Sequence, residues 1–155
     1  AAAGLALIAL ANAAGTYCCG RLGGIWRIKH LLCGIYLARA LAMALFVLLP
    51  LTTASLYAFC ATMGFLWLGT APLTNALVSQ VFGVRYIATL FGFVFLSHQV
   101  GSFLGVWLGG VVFDATRSYD PVWLGGIALG VVAAALHYPI DDRAIDRRAP
   151  AEATA

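Results

Sequence analysis

Hydrophobic residues fall into five long runs, which charged and turn-forming residues separate. The runs extend over about residues 2–19, 31–49, 55–80, 87–113 and 122–138. A helix rises about 1.5 Å per residue, so roughly 20 apolar residues cross the hydrocarbon layer of a membrane. Backbone groups in lipid must be paired within their own segment, which favours helices over open sheets or loops. The pattern therefore predicts an all-α membrane protein with five transmembrane helices.

Composition supports a membrane location. The chain is 63% hydrophobic and 10% charged, whereas soluble domains are about 25% charged. Its net charge of +3 is too small to indicate binding to nucleic acid. The opening run has no basic residues before it, and we interpret it as a truncated membrane helix rather than a secretory signal. The lipid bilayer is the predicted partner of residues 1–140.

Cysteine and basic residues add two expectations. The four cysteines lie in or beside apolar runs without paired CxxC spacing, so we predict buried thiols, with no metal and no cofactor. The positive-inside rule places most basic residues in the cytoplasm, and this predicts a multi-pass protein of the inner cell membrane. Seven basic residues share one side of the predicted membrane: Arg21, Arg27, Lys29, Arg85, Arg143, Arg147 and Arg148. Residues 141–155 are therefore predicted to form a charged, disordered cytoplasmic tail.

Arg39 lies near the middle of the second run, where a charge is most costly. Tyr36 shares its stripe and could support it by stacking or hydrogen bonding. One hypothesis is a fixed positive charge that lines an anion pathway. The alternative is a structural arginine that is paired to carbonyl groups or to another helix.

His98 lies about 12 residues into the fourth run. It is either a proton-linked or hydrogen-bonding group in a pathway, or a histidine that only tightens helix packing. Gln99 is rotated by about 100° and must face a different neighbour. Small residues on the stripe of His98 predict the close approach of another helix: Gly101, Ser102, Gly105 and Gly109.

Two further polar or helix-breaking residues stand inside the runs. Asn12 is expected to bond across to another helix or, alternatively, to contact substrate. Pro72 cannot donate to the carbonyl of Leu68 and therefore predicts a kink in the third helix. A gating hinge at this kink is the more specific hypothesis.

The first connection resembles the short basic loop between the second and third helices of each half of major facilitator superfamily transporters. The residues that carry this resemblance are Gly20, Leu22, Gly23, Arg27 and Lys29. In that family an acidic residue stands at the position of Gly24 and braces cytoplasmic closure. The glycine puts that brace in doubt here.

The fourth run and its flanks resemble the penultimate helix of bacterial transporters similar to the monocarboxylate and oxalate/formate group. The matching stretches are residues 82–86, 97–103, 109–110, 113–116 and 118–120, with Arg117 at a position where the family commonly has glycine. The resemblance covers nearly all of residues 1–140. It implies helices 8 to 12 of a twelve-helix bundle, and thus a fragment whose partner is the missing amino-terminal half of the transporter.

The function implied by the resemblance is secondary active transport of small organic anions, alone or with a proton, by alternating access. The chain is then not an enzyme. One alternative is a membrane scaffold or assembly protein without transport activity. Another is a haem or quinone redox subunit, which needs paired histidines at matching depth. His30 and His137 lie at helix ends and His98 lies in the middle of a run, so their depths do not match.

Overall fold

The computed structural model describes residues 2–143. This part of the chain contains only helices: α1 (Ala2–Gly23), α2 (Ile28–Leu48), α3 (Thr53–Trp67), α4 (Thr70–Phe82), α5 (Ile87–Thr116) and α6 (Asp120–His137). Five helical stretches are long and apolar enough to span a membrane, because α3 and α4 together form one stretch, Thr53–Phe82. The predicted all-α fold with five membrane helices is confirmed. The disorder predicted for the tail beyond residue 143 lies outside the described residues.

Local hydrogen bonds determine where several helices begin and end. Thr52 and Ser55 form a capping box at the start of α3, in which each side chain accepts from the backbone N–H of the other, at 3.1 and 2.8 Å. Arg117 ends α5 with φ at 56°, and its N–H donates to the carbonyl of Phe113 at 2.7 Å. Arg117 therefore adopts the left-handed conformation that most often ends a helix and that glycine adopts most readily.

The helix of the third apolar run is interrupted at Leu68 and Gly69, one turn before Pro72, and this interruption is here called the bend. α3 ends at Trp67 and α4 begins at Thr70. Pro72 has no N–H to donate, and the N–H of Ala71 instead bonds the carbonyl of Leu68 at 3.1 Å, three residues back. Across the bend, the Oδ1 atom of Asn12 accepts from the N–H of Leu68 at 3.2 Å. The bend is thus stabilised by a side chain of α1.

Glycines let α1 pack very closely on α3 and α4. A Cβ atom on Gly15 would lie 1.8 Å from the carbonyl oxygen of Phe65, and one on Gly64 would lie 2.7 Å from that of Ile8. Both distances are shorter than any normal contact of a Cβ atom. Only glycine therefore permits the two backbones to approach this closely. The contact continues at Gly69, where a Cβ would lie 2.5 Å from the sulfur of Cys19.

The buried core lies towards the end of the bundle that carries the α1–α2 connection. Its members come from α1, α2 and α4: Cys19, Ile28, Leu32, Ile35, Leu73 and Leu77. At the other end, Phe46 of α2 stacks on Phe59 of α3 at 4.2 Å between ring centroids, and Trp123 of α6 packs on both rings. α1 with α3, and α2 with α6, form the two most extensively packed helix pairs.

No residue of α5 is buried among the described residues. A Cβ atom on Gly101 or Gly105 would meet no atom within 4 Å, and one on Gly109 would meet only Val122, at 3.9 Å. No described residue of another helix therefore packs against Gly101 or Gly105. The close packing of the small-residue stripe against another helix stays a prediction.

Candidate functional site

A cleft of about 470 Å³ lies between α2, α4, α5 and α6. Most of its wall is apolar, with Leu68, Phe91 and Phe95 among the lining residues. The residues that bring polar atoms to the cleft are Tyr36, Thr70, Thr74, Ser97, His98 and His137. A mostly apolar cleft with a few convergent polar groups has the composition of a small-molecule site.

Arg39 lies one turn beyond Tyr36 on α2, and two aromatic rings hold its guanidinium. The guanidinium carbon is 5.9 Å from the centroid of Tyr36 and 5.3 Å from that of Trp67. Within residues 2–143 this guanidinium makes no hydrogen bond and no ion pair. Stacking on rings contributes about 0.5–2 kcal/mol, whereas an arginine at a membrane helix centre costs about 2.5–3.5 kcal/mol. Stacking therefore offsets only part of this cost.

His98 reaches the cleft from α5. Its side chain is exposed, and its ring centroid is 6.2 Å from that of Phe95. The neighbouring Ser97 donates its hydroxyl to the carbonyl of Phe93 at 2.9 Å, so that donor is already used within the helix. Gln99 is exposed and does not line the cleft. The structure thus brings His98 and Tyr36 to one cleft and leaves Gln99 outside it.

His137 is a cleft residue that sequence reasoning missed. Its Nδ1–H donates to the carbonyl of Ala133 at 2.7 Å, and its ring lies 5.0 Å from Tyr36 between centroids. In the neutral ring this bond leaves the lone pair on Nε2. The sequence showed His137 only as a residue at a helix end. Its proximity to Tyr36 depends on the packing of α6 on α2, and no spacing along the chain signals it.

Threonines of the third run are the other cleft residues that the sequence left unassigned. Thr70 and Thr74 are four residues apart on α4 and line the cleft together. Their i, i+4 spacing was a usable signal, because such residues share one helix face. Pro72 lies between them as the third residue of α4, and Asn12 lies at the bend rather than in the cleft lining.

The predicted loop motif lies in a second polar cluster, away from the cleft. The Nε atom of Arg27 donates to both carboxylate oxygens of Asp142, at 3.2 and 3.3 Å, and its terminal nitrogen also pairs with Asp142. Lys29 donates to the carbonyl of Ile140 at 2.9 Å. Gln80, near the end of α4, donates to the carbonyl of Asp142 at 2.7 Å.

Asp142 is 5% exposed, although the sequence placed it in a solvated tail. The hydrogen bonds from Arg27 lower the pKa of this carboxyl below its ordinary value, against the effect of burial. The same pair raises the pKa of Arg27. This difference from the sequence expectation has a physical reason. Asp142 meets its partner Arg27 only because the chain after α6 returns to the α1–α2 connection.

Glycines of the motif differ in their surroundings. A Cβ atom on Gly23 would lie 2.8 Å from the side chain of Leu73, whereas one on Gly20 would meet nothing within 4 Å. Leu22 is exposed. Among the described residues, no three His, Cys, Asp or Glu side chains are grouped so that they could hold a metal ion.

Comparison with known proteins gives one partial match. Over 63 residues, or 41% of this chain, the sequence is 36% identical to an uncharacterised MFS-type transporter, YcxA, of Bacillus subtilis (strain 168). The matched region corresponds to 15% of the length of that relative. No family model and no solved structure matches the chain. The partial match and the five apolar helices together support a multi-pass membrane protein related to transporters of the major facilitator superfamily.

Proposed function

We propose that the chain is part of the carboxy-terminal half of a secondary active transporter, which moves small organic anions of the monocarboxylate type across the inner cell membrane. In this proposal the five membrane helices correspond to helices 8 to 12 of a twelve-helix bundle. Transport then occurs by alternating access between this half and an amino-terminal half.

The observation that carries the proposal is the state of Arg39. Its guanidinium is half-buried in a membrane helix, rests on two aromatic rings and has no anionic partner within residues 2–143. An intramembrane charge without a protein partner is a functional-site hypothesis by default. A planar guanidinium also matches the two oxygens of a carboxylate. We assign Arg39 as the carboxylate-binding residue.

The other proposed pathway residues have supporting roles. Tyr36 stacks on Arg39 and lines the cleft, and it thereby links the cationic group to the cavity. His98 supplies a hydrogen-bonding or proton-accepting group on the opposite wall, which α5 provides. Gln99 remains a candidate for contact with the amino-terminal half. Asn12 is assigned to bracing the bend, because its amide oxygen is engaged there.

Uptake of radiolabelled monocarboxylates by the complete transporter tests this proposal. We expect Arg39→Ala to lower uptake at least about tenfold, because hydrogen bonds to charged groups are among the strongest in proteins. Arg39→Lys should retain part of the activity, since it keeps the charge but loses the planar fork. His98→Ala should lower uptake, because it removes a hydrogen-bonding group from the cleft. Arg21→Ala is the matched control, because this arginine is exposed at the end of α1.

Unchanged uptake in both Arg39→Ala and His98→Ala would remove the site assignment while leaving the fold standing. Absence of any flux that depends on these residues would favour a scaffold or assembly protein. A Soret band in the absorption spectrum of the purified protein would instead favour a haem subunit.

A further inference from the structure

A groove of about 380 Å³ lies between α2 and α6 and shares no lining residue with the candidate site. Its lining consists of Cys33, Leu37, Val131, Ala134, Ala135 and Tyr138. The four residues from α6 follow one another at i, i+3, i+4 and i+7, so they lie on one face of that helix. From Val131 to Tyr138 this face extends about 10 Å along the helix axis. The groove is therefore elongated along the two helices.

Small side chains form the floor of the groove, and larger side chains form its edges. Ala134 is 2% exposed, whereas Leu37 and Val131 are 47% and 48% exposed. Both helices are long and apolar enough to span a membrane. An elongated apolar groove on the outside of two such helices has the shape and the chemistry that an acyl chain fits.

One end of the groove is polar. His30 precedes Cys33 by three residues on the same face of α2, and its ring stacks on that of Tyr138 at 6.5 Å between centroids. Neither the imidazole nitrogens of His30 nor the hydroxyl of Tyr138 forms a hydrogen bond with another described residue. Both side chains are exposed and can donate hydrogen bonds.

Lys29 adds a positive charge at this polar end. Its ammonium group donates to the carbonyl of Ile140 at 2.9 Å, which places the charge near Tyr138, two residues earlier. An ammonium group has three donors, so two remain. The positive-inside rule predicts that this end of the helices is cytoplasmic.

The nearby carboxylates do not neutralise Lys29. Asp142 pairs with Arg27, and Asp141 lies 3.9 Å from Arg143. Asp142 acts on Lys29 only through a weaker electrostatic interaction. Lys29 itself forms no ion pair within residues 2–143. The polar end of the groove is therefore complementary to a negative charge.

We propose that the α2–α6 groove binds an anionic phospholipid. Its acyl chain lies in the groove, and its phosphate accepts hydrogen bonds from Lys29, His30 and Tyr138. Basic pockets between membrane helices on the cytoplasmic side are typical binding sites for anionic headgroups. This site goes beyond the proposed transport activity, because it uses no residue of the candidate site and its test measures lipid binding rather than uptake.

Native mass spectrometry of the complete protein in detergent tests the headgroup. The probes are phosphatidylglycerol and phosphatidylcholine with identical acyl chains, so that only the net charge of the headgroup differs. We expect the protein to retain phosphatidylglycerol preferentially. Equal retention of the two lipids would overturn the proposal, since the groove would then hold only non-selective bilayer lipid.

Lys29→Gln should weaken the binding of phosphatidylglycerol about fivefold, the effect of one basic residue near an anionic membrane surface. The binding of phosphatidylcholine should change little, so the preference is lost. Arg21→Gln is the matched control, because this arginine is exposed at the end of α1 and does not line the groove. An equal effect of the two substitutions would reduce the preference to the overall charge of this end and overturn the site.

Filling the groove tests the position of the acyl chain. Ala135→Phe places a large side chain in the groove and should lower the retention of both lipids. Ala128→Phe makes the same change on an exposed part of α6 that does not line the groove, and it should leave retention unchanged. Unchanged retention in Ala135→Phe would contradict the proposal. A protein dimer that Ala135→Phe dissociates would instead assign the groove to a second copy of the chain.

Tyr138→Phe decides the matter if Lys29→Gln does not fold, because it removes only an exposed hydroxyl group. We expect it to weaken the binding of phosphatidylglycerol, and binding equal to that of the parent would overturn the role of the polar end. Glycerol 3-phosphate, added at the concentration of the lipid, should not displace phosphatidylglycerol. Displacement would show a site for free phosphate rather than for a lipid.

Discussion

At the scale of single residues, glycines have opposite roles in different helices. Gly15 and Gly64 allow two backbones to approach to distances that exclude any side chain. Gly101 and Gly105 form the more conspicuous sequence stripe, yet no atom of another described residue lies near them. A small-residue pattern therefore shows where close packing is permitted, and a partner helix decides where it occurs.

Gly15→Ala should destabilise the protein, because its methyl group would overlap the carbonyl oxygen of Phe65. Overpacking typically costs about 1–3 kcal/mol, and it must exceed the gain of about 1 kcal/mol that alanine brings to a helix. Gly20→Ala, in the same helix, brings the same gain without an overlap. Thermal unfolding followed by circular dichroism should show a lower midpoint for Gly15→Ala only. Equal midpoints for the two variants would contradict this contact.

Asp142 provides a pH-dependent prediction. Hydrogen bonds from Arg27 hold the pKa of its carboxyl below the ordinary value of 3.8, while Lys29 adds a smaller effect in the same direction. The neighbouring charges are Asp141 and Arg143, both exposed. Because the folded pKa is depressed, the stabilisation by this pair is complete above pH 3.8. It is lost as the pH falls through the lower, folded pKa.

The chemical shift of the Asp142 carboxyl carbon measures this titration. We expect a midpoint below pH 3.8 in the parent and a higher midpoint in Arg27→Gln, which removes the charge and the main donors. A parent midpoint at or above 3.8 would show that burial outweighs the ion pair.

At the scale of helices, the bend between α3 and α4 depends on both the local sequence and the packing of another helix. Pro72 removes one backbone bond and so weakens the helix around Leu68. It does not determine how the freed groups are satisfied. Asn12 of α1, 56 residues earlier, accepts a hydrogen bond from the N–H of Leu68. The N–H of Ala71 donates to the carbonyl of Leu68.

Asn12→Leu should loosen this bend without removing it, because leucine keeps the size of the side chain but cannot accept a hydrogen bond. Such interhelical bonds contribute about 1 kcal/mol, which corresponds to about fivefold faster hydrogen exchange at the amide of Leu68. Thr16→Val, one turn along α1, is the control and should leave that exchange rate unchanged. Equal exchange rates in the parent and in Asn12→Leu would exclude the bracing role.

At the scale of the whole molecule, the described helices divide into a packed part and an exposed part. α1, α2 and α4 share a buried core, whereas α5 has no buried residue. His98 of the candidate site is on this exposed helix, and Arg39 is on a packed one. In the proposed transporter assembly, an amino-terminal half would supply the neighbour that α5 lacks among the described residues.

Much of the candidate site could be predicted from the sequence. The rest could not, because it depends on which helices pack together. Arg39, Tyr36 and His98 stand out because polar side chains are rare in apolar runs. The free-energy cost of placing such a side chain in lipid can be judged from the residue alone. His137 was missed because its role depends on which helix α6 packs against. Asp142 was assigned to the wrong environment for the same reason, since its partner Arg27 is 115 positions away.

The sequence by itself determined the membrane environment, the helical fold and the number of helices long enough to span a membrane. These follow from hydropathy and from the need to pair every backbone group in lipid, and both conditions act within one segment. Only the tertiary structure decided that Gly15 of α1 makes the closest contact, that Asn12 accepts a hydrogen bond at the bend and that Asp142 pairs with Arg27. Each of these depends on which segments meet, and local patterns of hydropathy do not encode the choice of neighbour.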